Sequence, residues 1–238
     1  MPSLSAANRE ALKKISTATL TTVLFKRGFR NVFLQGVSRL NAKAPRMVGE
    51  AYTLRYIPAR EDLDQMGIYD GRGNPQREAI EGCPPGHVLV MDARRDPTAA
   101  TAGDILTARL MKRGAAGIVT DGGLRDSPGI AQFDFPAYCA AGSAPVSLIK
   151  HHAADTQLPI ACGGVAVYPG DIVVGDGEGV VVIPAKIANE VAEEAAAQTL
   201  FEDWVEARVK EGRSIFGLYP PSAETKAEYE AWRKTQKR

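Results

Sequence analysis

The stretch from His87 to Asp121 decides the fold of this chain. It reads HVLVMD at residues 87–92, DILTARLMKRG at 104–114 and AGIVTD at 116–121. The first and third segments are short apolar runs typical of buried strands, and the middle segment has the composition of a helix that ends at Gly114. A strand, a helix and a strand in this order predict a βαβ unit with parallel strands and a right-handed crossover.

The flanking segments extend this unit into an α/β domain with a mixed sheet. Further strands are expected at 49–57, 135–139, 159–162 and 171–174, and a turn at 175–178 leads into a strand at 179–183. Helices are expected at 6–15, from a cap at Ser16 or Thr17 to Gly28, at 186–210 and after Ser222. We therefore divide the chain into a helical lead-in (1–28), an α/β catalytic core (29–185) and C-terminal helices (186–238) that pack on the core or on a neighbouring subunit. The polar stretch 62–78 is predicted to be a long loop.

Composition narrows the class of protein. The chain has 238 residues with 29 basic and 28 acidic side chains, and its apolar runs end well before the roughly 20 residues needed to cross a bilayer. Three widely separated cysteines and an N-terminus without an apolar signal core lead us to expect a cytoplasmic protein. No pair of cysteines or histidines has the spacing of a zinc site. The adjacent His151 and His152, which we expect on a helix, would point about 100° apart and are not a metal pair. We expect no membrane partner.

Positive charge is concentrated at the start of the chain. The first sixty residues hold eleven Lys or Arg and only two acids, Glu10 and Glu50. Such a segment can contact nucleic acid, phosphate or an acidic neighbouring subunit. A solvated basic face is the better interpretation, since the basic residues are scattered and lack interleaved stacking aromatics. Nucleic acid is therefore not an expected partner.

The carboxyl ends of the two parallel strands carry the candidate chemistry, because ligands bind there in open α/β sheets. One loop opens the helix at Gly103-Asp104, where the early backbone amides are free to bind a small carboxylate. The other, DGGLRD at 121–126, presents Arg125 beside Asp126. Two acids near an arginine suit Mg²⁺, which takes one or two carboxylates and keeps several waters. Spacing alone favours the alternative that Asp104 is only a helix cap and that Arg125 and Asp126 form a local salt bridge.

Three blocks in this order resemble the RraA-like family. They are GDIL at 103–106, GIVTDGGLRD at 117–126 and YPGDIVVGDGEGVVVIP at 168–184. The resemblance runs from about residue 16 to residue 212. The best-known enzymes of the RraA-like family are 4-hydroxy-4-methyl-2-oxoglutarate (HMG/CHA) aldolases. It implies a swivelling β/β/α-type domain that assembles as a homotrimer or a dimer of trimers. RraA proteins are also named for inhibiting an RNA-degrading endonuclease, so a regulator without catalysis is the alternative function.

The reaction that the resemblance implies is that of a class II, metal-dependent pyruvate aldolase. Such a lyase cleaves a 4-hydroxy-2-oxo acid to pyruvate and an aldehyde or keto acid, and often decarboxylates oxaloacetate. The resemblance assigns Mg²⁺ or Mn²⁺ to Asp126 and the keto oxygen of the substrate to Arg125. A Schiff-base mechanism would need a desolvated lysine, and the nearest, Lys112, lies two turns along the predicted helix.

The remaining site residues also come from the resemblance. It implies that the loop at Gly103 and the amides of Ile105 and Leu106 hold the substrate carboxylate, and that Asp104 belongs to the network of waters around the metal. Glu202 is the nearest match to a catalytic glutamate that a neighbouring subunit supplies.

The stretch 62–78 departs from compact members of the family. With Arg72 and Arg77 it can meet a second acid group or a polyhydroxyl chain, which makes a 2-keto-3-deoxy sugar acid a reasonable substrate. A subunit contact is an equally good interpretation of this stretch.

Overall fold

The computed structural model of the chain describes residues 4–236. This part of the chain contains seven α-helices: α1 (Ala6–Leu12), α2 (Thr17–Lys26), α3 (Pro75–Gly82), α4 (Asp104–Lys112), α5 (Ser127–Ile130), α6 (Ala188–Lys210) and α7 (Ala223–Thr235). It also contains thirteen strands: β1 (Ser38–Arg39), β2 (Met47–Pro58), β3 (His87–Asp92), β4 (Ala100–Ala102), β5 (Gly117–Thr120), β6 (Gly123–Leu124), β7 (Ala137–Cys139), β8 (Ala141–Gly142), β9 (His151–Thr156), β10 (Ile160–Cys162), β11 (Val165–Val167), β12 (Ile172–Gly175) and β13 (Val180–Ile183).

The predicted βαβ unit is confirmed as β3, α4 and β5. The two strands pair in parallel, with Leu89 opposite Ile118. The unit lies within an eight-stranded sheet of order β1-β7-β5-β3-β2-β12-β13, in which β9 also pairs with β2. Parallel pairs occur between β2, β3, β5 and β7, whereas β1, β9, β12 and β13 pair antiparallel. The α/β fold class with a mixed sheet is therefore confirmed.

Both faces of the sheet are covered, which explains the uninterrupted apolar runs of its central strands. Leu89 and Met91 of β3 pack with α3 and α4 in one apolar cluster. Val88 and Val90 point to the other face and pack with the hairpin formed by β10 and β11. Each central strand thus contributes alternate side chains to two cores.

A second, three-stranded parallel sheet of β4, β6 and β8 was not predicted from the sequence. Its strands have only two or three residues, too few for a period-2 pattern to be recognised. They pair Ala100 with Gly123 and Ala102 with Leu124. Because β4 leads into α4 and β6 leads into α5, this small sheet brings the starts of both helices together.

The helical lead-in and the long C-terminal helix are confirmed. Ser5 and Ser16 cap α1 and α2, and α6 packs on both helices through a cluster that includes Leu20, Val191 and Ala195. At its end α6 meets α7, where Trp204, Leu218 and Tyr229 are buried together; the aromatic pair has a centroid separation of 5.5 Å. None of the helices in residues 4–236 is long and apolar enough to cross a membrane.

Two expectations about local structure are wrong. The stretch 62–78 is not wholly loop, because a 3₁₀ turn forms at Met66–Tyr69 and α3 begins at Pro75. The Asn74 side chain caps this helix by accepting hydrogen bonds from two backbone amides, and Pro75 occupies the first helical position, where its missing N–H costs nothing. His151 and His152 lie on strand β9 rather than on a helix, so their side chains point to opposite faces.

The β12–β13 turn fixes α2 to the sheet through Asp176. Its carboxylate accepts hydrogen bonds from the Thr17 amide at 2.8 Å, the Thr17 hydroxyl at 2.9 Å and the Glu178 amide at 2.9 Å. Burial acts to raise the pKa of Asp176, but these hydrogen bonds outweigh it and hold the pKa below its usual value of 3.8.

Asp176→Asn is expected to lower the free energy of unfolding by about 1–3 kcal/mol at pH 7, because a buried, hydrogen-bonded charge is lost. The carboxylate's contribution is present above pH 3.8 and disappears as the pH falls through the lower pKa of the folded state. Urea unfolding of wild type and Asp176→Asn between pH 7 and pH 3 measures this contribution to the free energy of unfolding. A stability difference that does not shrink toward pH 3 would contradict this assignment.

Candidate active site

Two loops meet where the small sheet ends. The backbone amide of Arg125, which follows β6, donates a hydrogen bond of 3.0 Å to the carbonyl of Ala102, which ends β4. Gly103 comes next and is the N-cap of α4. The predicted convergence of the Gly103-Asp104 loop with Arg125 and Asp126 is thus seen in the structure.

Gly103 permits a close approach that another residue would block. A Cβ at this position would lie 2.9 Å from Arg125 Cγ and 3.0 Å from Asp126 Oδ2. Its φ of −121° is accessible to any residue, so the requirement for glycine is one of space. The side chains of Arg125 and Asp126 therefore lie directly against the start of α4.

The interpretation of a local salt bridge is correct in part. Arg125 Nε lies 3.3 Å from Asp126 Oδ2, and both side chains keep about two fifths of their surface exposed, at 41% and 44%. Asp104, by contrast, is the first helical residue rather than the cap, and its carboxylate accepts a hydrogen bond of 2.7 Å from the amide of Ile105. Its other oxygen faces α5, 3.9 Å from where a Cβ on Gly129 would stand.

The start of α4 offers backbone donors to a ligand. Thr107 is the first residue whose amide bonds to a carbonyl of the helix, that of Gly103 at 3.0 Å. The amides of Ile105 and Leu106 precede it and have no carbonyl partner within the helix, although that of Ile105 donates to the Asp104 carboxylate. The helix dipole adds partial positive charge at this end, so the first turn favours an anion such as a carboxylate.

Asp126 is held in an uncommon backbone conformation. Its φ of +55° and ψ of +28° are left-handed, a region that Asp and Asn tolerate better than other non-glycine residues. Its carbonyl accepts hydrogen bonds from the amides of Gly129 and Ile130. These two bonds form the first turn of α5. The sharp turn leaves the Asp126 side chain exposed beside Arg125.

These groups line a cavity of about 440 Å³, a size typical of sites for small molecules. One part of its wall comes from the two loops and includes Gly103, Asp104, Ile105, Leu106, Arg125 and Asp126. The other part comes from the stretch 62–78 and from the segment before β9, and includes Met66, Tyr69, Gln76, Arg77, Val146 and Ser147. The residues of the two loops that were predicted to bind substrate or metal therefore share one cavity with Arg77, whereas Arg72 does not line it.

The stretch 62–78 is tied to the loops by hydrogen bonds that sequence analysis did not foresee. Gln76 is buried and donates to the carbonyl of Thr101 at 2.6 Å and to the Tyr56 hydroxyl at 3.2 Å. The hydroxyl groups of Tyr69 and Ser147 share a hydrogen bond of 2.6 Å. The pair Asn74-Pro75, typical of a helix start, was the sequence signal that could have revealed helix α3.

Acidic side chains at the strand ends differ in their availability to a ligand. Asp121 is buried, and its carboxylate accepts hydrogen bonds from the amides of Ala93, Arg95 and Gly163. Burial raises the pKa of Asp121 despite these bonds, and its oxygens are occupied. Asp126, by contrast, lines the cavity with its side chain partly exposed, and its ion-pair partner is Arg125.

The donor set in the cavity suits a hard divalent ion. Within residues 4–236, no group of three or more His, Cys, Asp and Glu side chains is placed to hold a metal. Asp126 and Asp104 offer carboxylate oxygens only, the ligands that Mg²⁺ takes in small number while it retains water. Such a set does not suit zinc, whose sites are built mainly from nitrogen and sulfur.

Glu202 lies elsewhere on this chain. Its carboxylate accepts hydrogen bonds from Thr19 Oγ1 at 2.9 Å, Gln198 Nε2 at 2.8 Å and Tyr219 at 3.3 Å. It is not among the residues that line the cavity. A role for Glu202 in the site of a neighbouring subunit stays a prediction.

Other reactive side chains lie outside the cavity. Lys112 is in the last turn of α4 and exposed. Cys139 and Cys162 are buried, and burial raises the pKa of the Cys139 thiol to about 11. They therefore remain protonated and unreactive near neutral pH.

A family model and a relative with a curated name match this chain in sequence. The family model described as RraA-like, Aldolase/RraA, matches residues 17–182. A protein of Halalkalibacterium halodurans, provisionally named 4-hydroxy-4-methyl-2-oxoglutarate aldolase, is 38% identical over 118 residues, which are 50% of this chain and 56% of that protein. The chain thus matches little more than half of that relative's length.

Two solved structures are similar over most of the chain. Streptomyces coelicolor RraAS2, described as an unusual member of the RNase ES inhibitor RraA protein family, is 29% identical with a TM-score of 0.76, and the match covers 87% of this chain and 98% of that one. An uncharacterised protein from Pseudomonas syringae has a TM-score of 0.78 at 23% identity and covers 92% of this chain and 100% of that one, which shows the shared fold alone.

Proposed function

The chain belongs to the Aldolase/RraA family, and on that premise we propose that it is a divalent-metal-dependent lyase that cleaves a 4-hydroxy-2-oxo acid to pyruvate and an aldehyde or keto acid. One observation carries the proposal. The space left by Gly103 lets Arg125 and Asp126 lie against the start of α4, inside a cavity of about 440 Å³. A carboxylate, a keto oxygen and a hard cation then each have a matching group.

The substrate is held at its oxo-acid end by this chain's own groups. The carboxylate binds at the positive end of α4 to the amides of Ile105 and Leu106, and the Ile105 amide exchanges its hydrogen bond to Asp104 Oδ1 for one to the substrate. Arg125 donates hydrogen bonds to the oxygen on C2. A guanidinium suits this position because it remains charged and presents several donors in a fixed plane.

Bond cleavage follows from this placement. The C3–C4 bond breaks, its electrons move toward the C2 oxygen, and the proton of the 4-hydroxyl group leaves as the new carbonyl forms. Arg125 stabilises the developing enolate oxyanion, since a preorganised charge aimed at a developing anion lowers the energy of the transition state. Asp104 orients the water that takes the hydroxyl proton. Protonation of the enolate at C3 gives pyruvate, and oxaloacetate decarboxylation passes through the same enolate.

The cation would be Mg²⁺ or Mn²⁺, held by Asp126 with waters and substrate oxygens as its remaining ligands. When bound, it would act as a Lewis acid that polarises the keto oxygen. We further propose that the chain works as a homotrimer or a dimer of trimers in which Glu202 of a neighbouring subunit completes the site. Two apolar side chains that line the cavity, Ile105 and Met66, are 79% and 71% exposed, which supports a covering subunit.

Arg125→Met tests the binding role directly. Methionine keeps methylene groups to pack against Gly103 but removes the donors, so the dissociation constant of pyruvate in the presence of Mg²⁺ is expected to rise by about tenfold or more. Isothermal titration calorimetry measures this change. Arg72→Met is the control, since Arg72 is exposed and does not line the cavity. Equal pyruvate affinity in Arg125→Met and wild type would refute the assigned role.

A second candidate function is supported by the likeness to the Streptomyces RraA protein. In that case this chain would bind and inhibit an RNA-degrading endonuclease without catalysis. A regulator of this kind would act through its surface, so inhibition of the nuclease would persist in Asp126→Asn. Inhibition without any release of pyruvate from 2-oxo acids would favour the regulator over the lyase.

A further inference from the structure

The part of the cavity wall that α3 forms contains a hydrogen-bond acceptor without a protein donor. Gln76 lies in the first turn of α3 and is only 4% exposed. Its Nε2 donates to the Thr101 carbonyl at 2.6 Å and to the Tyr56 hydroxyl at 3.2 Å, which uses both amide hydrogens. Its Oε1, in contrast, accepts no hydrogen bond from any residue between 4 and 236.

The neighbours of Gln76 determine which end of its amide faces the cavity. The Thr101 carbonyl can only accept a hydrogen bond, so the amide atom 2.6 Å from it is the nitrogen. Neither Thr101 nor Tyr56 lines the cavity, whereas Gln76 does. Moreover, Oε1 is not one of the side-chain atoms of residues 4–236 that are both fully buried and unpartnered, so it remains accessible. Oε1 is therefore the end of the amide that a ligand in the cavity can reach.

Two hydroxyl groups on the same part of the wall leave a donor unused. Tyr69 and Ser147 share a hydrogen bond of 2.6 Å, which takes one of their two hydroxyl hydrogens. No residue in the described part of the chain accepts the other hydrogen. Arg77, whose guanidinium carbon lies 4.6 Å from the centre of the Tyr69 ring, adds further donors. This part of the wall thus offers donors together with the acceptor on Gln76.

A hydroxyl group matches this wall because it both donates and accepts hydrogen bonds. A carboxylate has no hydrogen to give to Gln76 Oε1, and an alkyl chain can neither donate nor accept. A ligand that displaces water from Oε1 keeps the hydrogen bond only if it brings a donor of its own. Sites built to bond a substrate hydroxyl reject the analogue that lacks it, because a buried polar group is then left unpaired.

We propose that Gln76 Oε1 accepts a hydrogen bond from a substrate hydroxyl group at C5 or beyond, and that the site thereby selects polyhydroxy 2-oxo acids. This inference rests on the proposed function. There the two loops hold the oxo-acid end, so the part that leaves as the aldehyde faces the wall to which Gln76 belongs. The 4-hydroxyl group is not the partner of Oε1, because its single hydrogen is the proton that leaves during cleavage.

The test compares two acids that differ only in the hydroxyl groups beyond C4. They are 4,5,6-trihydroxy-2-oxohexanoate, used as each of its C4 epimers, and 4-hydroxy-2-oxohexanoate. Assays of pyruvate release with Mg²⁺ give kcat/KM for each acid. Wild type is expected to favour one epimer of the trihydroxy acid by about tenfold or more. Gln76→Met has a side chain of similar length without the acceptor, so this ratio of kcat/KM values should fall by about tenfold.

Tyr56→Phe is the matched control. It removes a hydroxyl that anchors Gln76 Nε2 and does not line the cavity, but it leaves Oε1 in place. The ratio in Tyr56→Phe should therefore equal that of wild type. A ratio that is unchanged in Gln76→Met overturns the inference, and so does one that falls equally in Tyr56→Phe, since Gln76 would then act only by anchoring α3.

Oxaloacetate separates a failure of this inference from a failure of the proposed function. If wild type releases pyruvate from oxaloacetate but cleaves neither hydroxy acid, or cleaves both equally well, this inference alone is overturned. If wild type releases no pyruvate from any of the three acids, the proposed function fails first and this inference falls with it.

Discussion

Asp126→Asn is expected to lower metal-dependent release of pyruvate by about a thousandfold, because it removes the charge that holds the cation and, with it, the stabilisation of the enolate. Asparagine has nearly the size of aspartate and also tolerates the left-handed φ of +55°, so the turn into α5 should persist. Steady-state assays of pyruvate release over a range of Mg²⁺ and Mn²⁺ concentrations measure the effect.

One control variant and one stability measurement make this experiment decisive. Asp155→Asn removes a carboxylate that is exposed on β9, away from the cavity, and should retain full activity. A thermal unfolding midpoint of Asp126→Asn close to that of wild type would show that the loss of activity is not a loss of fold. Activity of Asp126→Asn within a few fold of wild type would remove Asp126 from the reaction.

Gly103→Ala is expected to reduce turnover by about a hundredfold, since a displacement of roughly 1 Å in a catalytic group has a cost of that order. The added Cβ would stand 2.9 Å from Arg125 Cγ and 3.0 Å from Asp126 Oδ2, so both side chains must shift. Steady-state assays of pyruvate release give kcat and KM of the variant and of wild type and so measure the loss of turnover.

The fold should tolerate Gly103→Ala. Its φ of −121° allows alanine, and the replacement of an N-cap glycine costs about 1 kcal/mol at most. Gly177→Ala is the matched control, since a Cβ there meets no atom within 4 Å. If Gly103→Ala were as active as Gly177→Ala, the close approach of the two loops would have no part in catalysis.

Much of the central fold was predictable from local sequence patterns. The buried runs at β3 and β5 and the stop at Gly114 are strong signals because they depend on neighbouring residues alone. The convergence of Gly103 with Arg125 and Asp126 followed from the shared edge of parallel strands, and the structure places these groups in one cavity. The small sheet that aligns them was missed because strands of two or three residues carry no period.

The second part of the cavity wall could not be foreseen in the same way. Tyr69 and Ser147 are 78 residues apart in sequence, and their hydrogen bond depends on how two distant segments pack. The α3 helix was read as loop because polar residues dominate its start, although Asn74-Pro75 marked its first turn. The assignment of His151 and His152 to a helix failed because a strand with short runs of both polar and apolar residues lacks clear alternation.

The central claim is that this cavity supports metal-dependent formation of pyruvate. The most direct test is pyruvate release by the wild-type protein from oxaloacetate and from a panel of 4-hydroxy-2-oxo acids, including diacids, with Mg²⁺, with Mn²⁺ and with a chelator. The account predicts release that requires the metal, stops with the chelator and is lost in Asp126→Asn. Release that persists in the chelator, or no release from any of these acids with either metal, would contradict it.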